Sequence, residues 1–525
     1  MPPVALSTRH YALVEDVFTL ANNKDTFGKD FGPAPIPLAL DYISEGHRCT
    51  SESVFTRLPI IVTYQIVQLI DISDLANFAL VNRDCRQWAR SRQFASVKLD
   101  YSERAEGILN VLTQEHQERA SNNGKTRFPA IGVCVRHLIV NTDAKWVTRR
   151  HGKASNPEEA KGMTLSPLLS KLLHLASPQL ESLAWECIHI PGKPVLLEDC
   201  VDGAPFFPRL QDLKIEFNTP YHPAWLPVLI QPGERSPLRH LEMDIGAGLK
   251  PAMFFHECGT LPHLETLVWS NIREKDLEFA FPPLKAFLEA NSQIRKFRLS
   301  WPAPSEFLGR QLLPLICSSF HNLTSLSLIW KEENIPYDAL DQIATLRNLE
   351  QLWLSAGEQR GCEYTWAIDH VAICSRVQQL LKLRRLAFSR DTYVENNQPK
   401  QMYYEYRHPH EWYLLDPAEI NLAPGETKTQ KFRREWEEYH RQKMTSIARD
   451  IYAPYLPNLE WIYMGQVAMR IEREGGALDG SPLEAIPLTE TRDSCWTFLK
   501  RNFGRERDLG PVWYEPEGSF VQKFP

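Results

Sequence analysis

The sequence predicts an α/β solenoid, in which a small three-helix unit precedes an irregular array of strand-and-helix repeats. Three observations lead to this prediction. An apolar-x-x-apolar-x-apolar pattern recurs along the chain at a nearly constant interval. Stretches with helical apolar spacing lie between its copies, as in 166–177, 282–291 and 337–348. A compact helical segment over residues 58–90 comes before the first copies.

The segment 58–90 has the start, turn and stop signals of three short helices. Leu58-Pro59 opens the first helix, because Pro there needs no backbone N–H. Ser73 or Asp74 can cap the second helix, and Asn82 ends it before a third begins at Cys85. Leu75, Phe78, Ala79 and Val81 are predicted as the apolar face of the second helix. A helical subdomain packed on its own chain is one interpretation.

The same segment resembles an F-box, with its Leu-Pro start, aliphatic pair, Asp-Leu and Val-Asn-Arg followed by an aromatic residue. Ile61 stands where the family usually has Glu, and the continuation 89–105 resembles filamentous-fungal members. The residues that fit the family pattern are Leu58, Pro59, Ile66, Val67, Leu69, Asp74, Leu75, Val81, Asn82, Arg83 and Trp88.

This resemblance implies docking on a Skp-family adaptor and, through it, on a cullin scaffold. Some of the matching residues must also hold the helices together, and the sequence alone does not separate contact from core. The resemblance implies adaptor binding by Leu58, Pro59, Ile66, Val67, Leu69, Leu75, Val81 and Trp88.

The repeats are the second informative feature. From residue 180 to residue 383 the first apolar positions are 30, 28, 26, 30, 29, 26 and 34 residues apart. This period matches a leucine-rich repeat, with one short strand and a helical or irregular return, and an ordinary α/β sheet is the alternative. The copies begin at Val135, Leu180, Leu210, Leu238, Leu264, Ile294, Leu323, Leu349, Leu383 and Leu459.

Residues between the apolar positions of each strand should point away from the core. At these positions the early repeats are acidic, while the later ones carry cations and aromatic side chains that are expected to be exposed. A target protein would then dock a basic segment on the acids and an apolar one near Trp353, unless these side chains merely solubilise the face. The candidate target-binding residues are Glu216, Glu242, Asp244, Arg298, Trp353, Trp461 and Tyr463.

The domain organisation follows from these patterns. Residues 1–57 are expected to form a partly disordered extension, 58–100 the F-box and 101–134 a helical linker. Residues 135–465 form the repeat array, with an insertion at 389–458, and 466–525 form a C-terminal cap or tail. The insertion is rich in tyrosine and continues into a charged helix over 431–452. It is expected to form a binding lid or a capping element.

Composition narrows the classes of function. The chain of 525 residues has a formal net charge of −6, so it lacks the basic field that nucleic-acid binding requires. Its ten cysteines are scattered without a CxxC motif, which favours reduced core thiols. No apolar run is long enough for a membrane span. A cytoplasmic or nuclear location and no membrane partner are expected.

No catalytic motif survives inspection, so the sequence predicts a protein that is not an enzyme and needs no cofactor or metal. NNGKT at 122–126 has Arg119 where a phosphate loop needs its first glycine, and His410-Glu411 lacks a second histidine. The combined resemblance predicts the substrate-recognition subunit of an SCF-type cullin-RING ubiquitin ligase, which presents an unknown target protein. The alternative is a repeat scaffold with a degenerate F-box that acts outside the ligase.

Overall fold

The computed structural model shows an α/β protein with a large, mostly parallel β-sheet architecture, divided into two compact units. The first unit runs to Glu216 and includes Val228–Ile230, and the second contains the remaining residues. The residues described are 58–70, 74–99, 103–121, 131–141, 172–173, 176, 179–186, 207–217, 230, 233, 236–245, 251–270, 274, 277–357, 366–389, 391–392, 423–427, 431, 441–465, 467–473 and 483–487.

The first unit begins with three short helices, as the sequence predicts. They are α1 (Ile60–Leu69), α2 (Leu75–Phe78) and α3 (Arg83–Gln93). The side chain of Asn82 accepts a hydrogen bond from the N–H of Cys85 at 2.7 Å, so Asn82 caps the third helix, while the second helix already ends at Phe78. Asp74 occupies the N-cap position of α2 but makes no side-chain cap bond.

The three helices share one apolar core with the chain that follows them. Val67, Leu75 and Trp88 are buried in it together with Cys134, which lies in a 3₁₀ turn, Gly132–Cys134, before the second strand. In the sequence, β1 (Ser96–Leu99) and α4 (Glu103–Ser121) lie between α3 and this 3₁₀ turn. The three-helix unit is therefore packed on the start of the sheet, and its core is completed from outside the segment 58–90.

The strands of the first unit are parallel and share one register. After β1 come β2 (His137–Asn141), β3 (Ser182–Glu186) and β4 (Asp212–Phe217), and each pairs with the next. Pairing places the second apolar residues of three repeats side by side, namely Leu138, Leu183 and Leu213. All three are buried, as the repeat pattern predicts.

The second unit continues the alternation of strand and helix. Its strands are β5 (His240–Ile245), β6 (Thr266–Ser270), β7 (Lys296–Leu299), β8 (Ser325–Ile329), β9 (Gln351–Ser355), β10 (Trp366–Ala367), β11 (Arg385–Ser389), β12 (Asp391–Thr392), β13 (Trp461–Met464), β14 (Val467–Arg473) and β15 (Leu483–Pro487). Its helices are α5 (Pro251–Cys258), α6 (Leu277–Ala290), α7 (Ser305–Phe307), α8 (Leu313–Ser319), α9 (Tyr337–Ile343) and α10 (His370–Val377). Single π turns occur at Leu308–Leu312 and Ala448–Tyr452.

Nine described strands of this unit form one sheet in the order β5-β6-β7-β8-β9-β11-β13-β14-β15, and β10 pairs with β12 separately. The pairs are parallel from β5 to β13 and antiparallel from β13 to β15. The second apolar positions again stand in register, at Leu241, Leu267, Phe297, Leu326, Leu352, Leu386 and Ile462. The repeat pattern thus predicts ten of the fifteen described strands and their register within each unit, whereas β1, β10, β12, β14 and β15 lie outside the pattern.

One face of this sheet packs against helices. The ring of Phe255, in α5, lies edge-on to Trp269, in β6, with their centroids 5.5 Å apart, and it contacts Phe287, in α6, at 5.4 Å. Phe297 of β7 similarly meets Phe320 at 6.3 Å. The repeated apolar residues therefore point to the helices, and the residues between them point to the opposite face of the sheet.

The predicted helices differ in length from the observed ones. Helix α6 begins at Leu277, ahead of the predicted start, and contains Pro282 and Pro283 in its interior. Prolines there remove two backbone N–H donors, but burial of the face formed by Leu284 and its neighbours offsets the loss. Helix α9 stops at Ile343 because the chain turns at 344–349 to enter β9. The segments 1–57, 142–165, 393–422 and 488–525 lie outside the described residues.

Candidate functional site

Helix α1 has two faces of different character. Thr63 and Val67 are buried and Ile70 is partly buried, at a spacing of four and three residues, so they form the core side. The other face carries Val62, half-buried Ile66 and Leu69, and the Leu69 side chain is 83% exposed. An apolar helix side that faces solvent is the kind of surface that a partner protein covers.

The turn between α2 and α3 also exposes large apolar side chains. Helix α2 ends at Phe78, so Leu80 and Val81 lie in the turn rather than on the helix, and they are 76% and 61% exposed. The expectation that Val81 belongs to the buried face of α2 is therefore wrong. Leu80 was not predicted as a site residue, although its position after Ala79, off the 3–4 spacing of the buried side chains, was a usable signal.

The structure separates the predicted adaptor-binding residues into two groups. Val67, Leu75 and Trp88 are buried in the core of the three-helix unit, so they shape the surface without forming it. Leu58 and Ile66 are half-buried, and Pro59, Leu69 and Val81 are exposed. Ile61, at the position where the F-box family usually has Glu, is also exposed.

Arg92 holds α1 against α3. Its guanidinium donates to the carbonyl oxygen of Val67, and to that of Ile70 at 2.6 Å, where α1 ends. A cation at a helix C-terminus satisfies carbonyls that have no partner within the helix. Exposed Arg86, also in α3, makes a weaker contact of this kind at the end of α2, where its Nε donates to the carbonyl of Ala79 at 3.3 Å. The apolar pattern of the segment predicts neither contact.

The second predicted surface is largely buried. Trp353 was expected to be an exposed anchor, but its side chain is 1% exposed, and Tyr463 and Arg298 are buried as well. The guanidinium of Arg298 stacks on Trp353, 4.6 Å from the ring centroid, while Nε1 of Trp353 donates to Ser389 Oγ at 2.9 Å. The expected exposure of all three side chains is therefore wrong.

The neighbours in register explain this burial. Trp353 lies between Ser327 and Ala387, and Tyr463 lies between Ala387 and Ala468. Small side chains on both flanking strands leave room for a large ring to lie along the sheet. Strand alternation identifies the face to which a residue points but not whether that face is covered.

The remaining target-binding candidates do not form one described cluster. Trp461 is only partly buried and starts strand β13. Glu242 is mostly buried, and one of its carboxylate oxygens lies 3.8 Å from Nε2 of His240. Glu216 and Asp244 belong to strands β4 and β5, but their side chains lie outside what the structure describes.

Two buried titratable groups lie close to the end of β11. Nδ1 of His370 is 3.0 Å from the hydroxyl of Tyr452, and burial lowers the pKa of His370 to about 4. The buried Asp391 carboxylate accepts a hydrogen bond from the N–H of Gly465 at 2.7 Å, and burial raises its pKa to about 7. Both groups join the insertion's flanks to the sheet, so their role is structural.

The described cysteines are free thiols. Cys85, Cys134, Cys258 and Cys374 are buried and Cys317 is partly buried. Burial raises the pKa of Cys374 to about 11, so this thiol is protonated and unreactive at neutral pH. Within the described residues, no three His, Cys, Asp or Glu side chains are grouped so that they could hold a metal ion.

Comparisons with known proteins assign no family. The sequence matches no protein-family model, and the curated proteins contain no significant match to it. In the part of the chain that the structure describes, no helix combines the length and apolar character needed to cross a bilayer.

Proposed function

We propose that this protein is the substrate-recognition subunit of an SCF-type ubiquitin ligase, whose three-helix unit is an F-box that binds a Skp-family adaptor. The repeats would be an irregular leucine-rich-repeat solenoid that holds a target protein. The observation that supports this proposal best is the exposed apolar surface of the three-helix unit, formed by Leu69, Leu80 and Val81.

These three side chains are unusual because folding could have buried them, or the sequence could have carried polar residues at their positions. A helical subdomain packed only on its own chain has no need for three large apolar residues that are each more than half exposed. Two of them, Leu69 and Val81, are also residues through which the segment resembles the F-box family. Sequence resemblance and exposure thus point to the same side chains.

The proposed chemistry is proximity. The chain would hold a target lysine near a ubiquitin-loaded conjugating enzyme carried by the cullin, which raises the effective concentration of the two reactants. On this proposal the chain itself supplies no catalytic group, and its partners are the adaptor, the cullin assembly and a target protein.

Co-expression with a Skp-family adaptor tests this function. We expect the wild-type chain to co-purify with the adaptor as a stable complex. Leu69→Asp and Val81→Asp should each abolish co-purification, because a carboxylate would be desolvated in the interface, and should leave the fold intact. Leu381→Asp is the matched control, since Leu381 is also exposed but lies in the second unit.

Buried Leu75 is unsuitable for this test. A carboxylate at Leu75 would sit inside the core of the three-helix unit and unfold it, so loss of binding would not distinguish contact from folding. Retention of the adaptor by both the Leu69→Asp and the Val81→Asp variants would contradict the proposed docking surface. A folded wild-type chain that binds no adaptor would contradict the function.

A second candidate is favoured by a different observation. The three helices share their core with Cys134, and the guanidinium of Arg136 approaches the carbonyl of Ser91 at 3.5 Å. An N-terminal cap of a repeat scaffold would be built in this way, to cover the first strand. If the protein is a repeat scaffold, the folded chain should not bind the adaptor. The same co-expression experiment therefore distinguishes the ligase subunit from the scaffold.

A further inference from the structure

A row of side chains crosses the sheet of the second unit on the face opposite the helices. Strand pairing places the first outward residue of each strand next to that of its neighbour, from β5 to β14. This set, termed the edge row, consists of His240, Thr266, Lys296, Ser325, Gln351, Arg385, Trp461 and Arg470.

The edge row is accessible, unlike the row beside it. Lys296 and Arg470 are exposed, and the other six members are partly buried. The adjacent outward row, which contains Arg298, Trp353 and Tyr463, is almost entirely buried. A partner that approaches this face of the described sheet therefore meets the edge row first.

The edge row has one sign of charge. Lys296, Arg385 and Arg470 are cationic, and none of the eight members is a carboxylate. Arg470 is paired with Glu472 on its own strand, whereas the Lys296 side chain makes no ion pair or hydrogen bond with the described residues. Arg385 lies near Glu460 and Glu350, so Lys296 is the cation of the row without a nearby carboxylate among the described residues.

Trp461 is the aromatic member of the row. Parallel pairing puts Arg385 on one side of it and antiparallel pairing puts Arg470 on the other. Trp353 has small neighbours that leave room for its ring along the sheet, whereas both neighbours of Trp461 are long and charged. The ring of Trp461 therefore remains partly accessible to solvent. An aromatic ring between two guanidinium groups can contact an apolar side chain while carboxylates pair with its flanks.

We propose that the edge row binds an extended, acidic segment of a protein, which would be the target if the proposed ligase function holds. The segment would run across the strands. Adjacent strands are about 4.8 Å apart, so Lys296 and Arg385 stand roughly 14 Å apart and Arg385 and Arg470 roughly 10 Å apart. At about 3.3 Å per residue, this distance matches carboxylates spaced roughly four and three residues apart.

A peptide fits this surface better than a nucleic acid. Three cations are few for a phosphate backbone, which carries a charge at every nucleotide, whereas a peptide segment with a few carboxylates needs no more. A nucleic acid is therefore tested as the competing occupant.

Binding of defined peptides to the purified full-length chain tests the proposal without the adaptor. The probe is a fluorescein-labelled serine-rich peptide with glutamates about four and three residues apart and a leucine near the last two. We expect saturable binding measured by fluorescence anisotropy, which weakens as ionic strength rises from about 0.05 to about 0.3 M. The same peptide with lysines for glutamates should not bind.

Two variants locate the site. Lys296→Glu combined with Arg470→Glu should weaken peptide binding by roughly tenfold or more, because two attractive contacts become repulsive. Lys285→Glu combined with Arg310→Glu is the matched control, since both residues are exposed, lie on helices away from the edge row and give the same change in net charge, and it should leave binding unchanged. Circular dichroism and the adaptor complex should be unaffected in every variant.

Other outcomes overturn the proposal. Equal losses in the edge-row double variant and in the Lys285→Glu/Arg310→Glu control would mean that only net charge matters. Tighter binding of a labelled oligo(U) than of the acidic peptide, lost in the double variant, would assign the row to a nucleic acid instead. Because the assay contains no adaptor, failure of peptide binding beside an intact adaptor complex would contradict this inference alone, and the reverse result would contradict the ligase function alone.

Discussion

At the scale of single residues, a few buried polar groups hold the elements in place. Arg92 ties the end of α1 to α3 through the carbonyls of Val67 and Ile70. Asn291 is buried and fully bonded: its Oδ1 accepts from the N–H of Leu261 at 2.7 Å, and its Nδ2 donates to the carbonyls of Gly259 and Phe287. These residues are polar, and the apolar pattern gave no reason to expect them inside.

Removal of the Arg92 guanidinium should destabilise the three-helix unit. Hydrogen bonds from a charged donor to buried carbonyls contribute about 1.5–3 kcal/mol, so we expect Arg92→Ala to lower the free energy of unfolding by roughly 2 kcal/mol. Arg86→Ala removes a longer, exposed contact and should cost less than about 1 kcal/mol. Urea denaturation followed by circular dichroism measures both, and equal losses would refute the assigned role of Arg92.

The buried carboxyl of Asp391 predicts a pH dependence of stability. Its pKa is about 7 in the folded protein, against an ordinary value of 3.8, so the folded state holds its proton more tightly than the unfolded state. This contribution is fully present below about pH 4 and is lost as the pH rises to about 7. As the pH rises from 5 to 7, the unfolding free energy of the wild type should fall by about 2 kcal/mol more than that of the Asp391→Asn variant.

The Asn side chain keeps an acceptor for the N–H of Gly465, so the comparison isolates the charge. Unfolding midpoints in urea at several pH values measure the difference. Parallel pH profiles of the two proteins would show that Asp391 titrates normally in the fold.

At the scale of elements, asparagines link neighbouring repeats at their turns. Asn348, one residue before the first leucine of its repeat, donates to the carbonyl of His321 at 2.8 Å, and Asn458 donates to that of Leu381 at 2.7 Å. Both bonds join a turn to the preceding repeat. The apolar repeat pattern does not predict that these amides reach the neighbouring repeat.

Burial should decide how much these asparagines contribute. Asn291→Ala leaves the buried N–H of Leu261 and two carbonyls without the amide, so we expect a loss of roughly 3 kcal/mol in unfolding free energy. In the Asn348→Ala variant, water can bond to the carbonyl oxygen of His321 instead, so the loss in unfolding free energy should be under about 1 kcal/mol. Chemical denaturation of the two variants checks this ratio, and a larger loss for Asn348→Ala would contradict it.

The elements also show where sequence reasoning succeeds and where it stops. The spacing of Leu326 and Leu328 predicts a strand, its inward face and its register, because a period of two leaves one arrangement that buries both. Leu323 is buried in the turn before this strand. Whether the opposite face of the sheet is covered depends on contacts between strands that are distant in sequence, so alternation alone did not predict that Trp353 is buried. The buried role of Val67 beside exposed Leu69 likewise depends on which helix face α3 meets.

At the scale of the whole molecule, apolar periodicity accounts for most of the α/β architecture within each unit. The site is less predictable, because a docking surface consists of the apolar side chains that folding leaves uncovered. Leu69 and Val81 were among the predicted adaptor contacts, but Leu80 joins them only because α2 stops at Phe78. Exposure, which the structure supplies, selects the proposed docking residues from a longer list of apolar ones.

Hydrogen–deuterium exchange of the purified chain, free and bound to a Skp-family adaptor, tests the central claim most directly. The account predicts slower exchange on binding in residues 58–70 and 79–86, which carry Leu69, Leu80 and Val81, and unchanged exchange in the edge row. Protection confined to the second unit, or no complex with a folded chain, would contradict the claim that the three-helix unit is the adaptor-binding element.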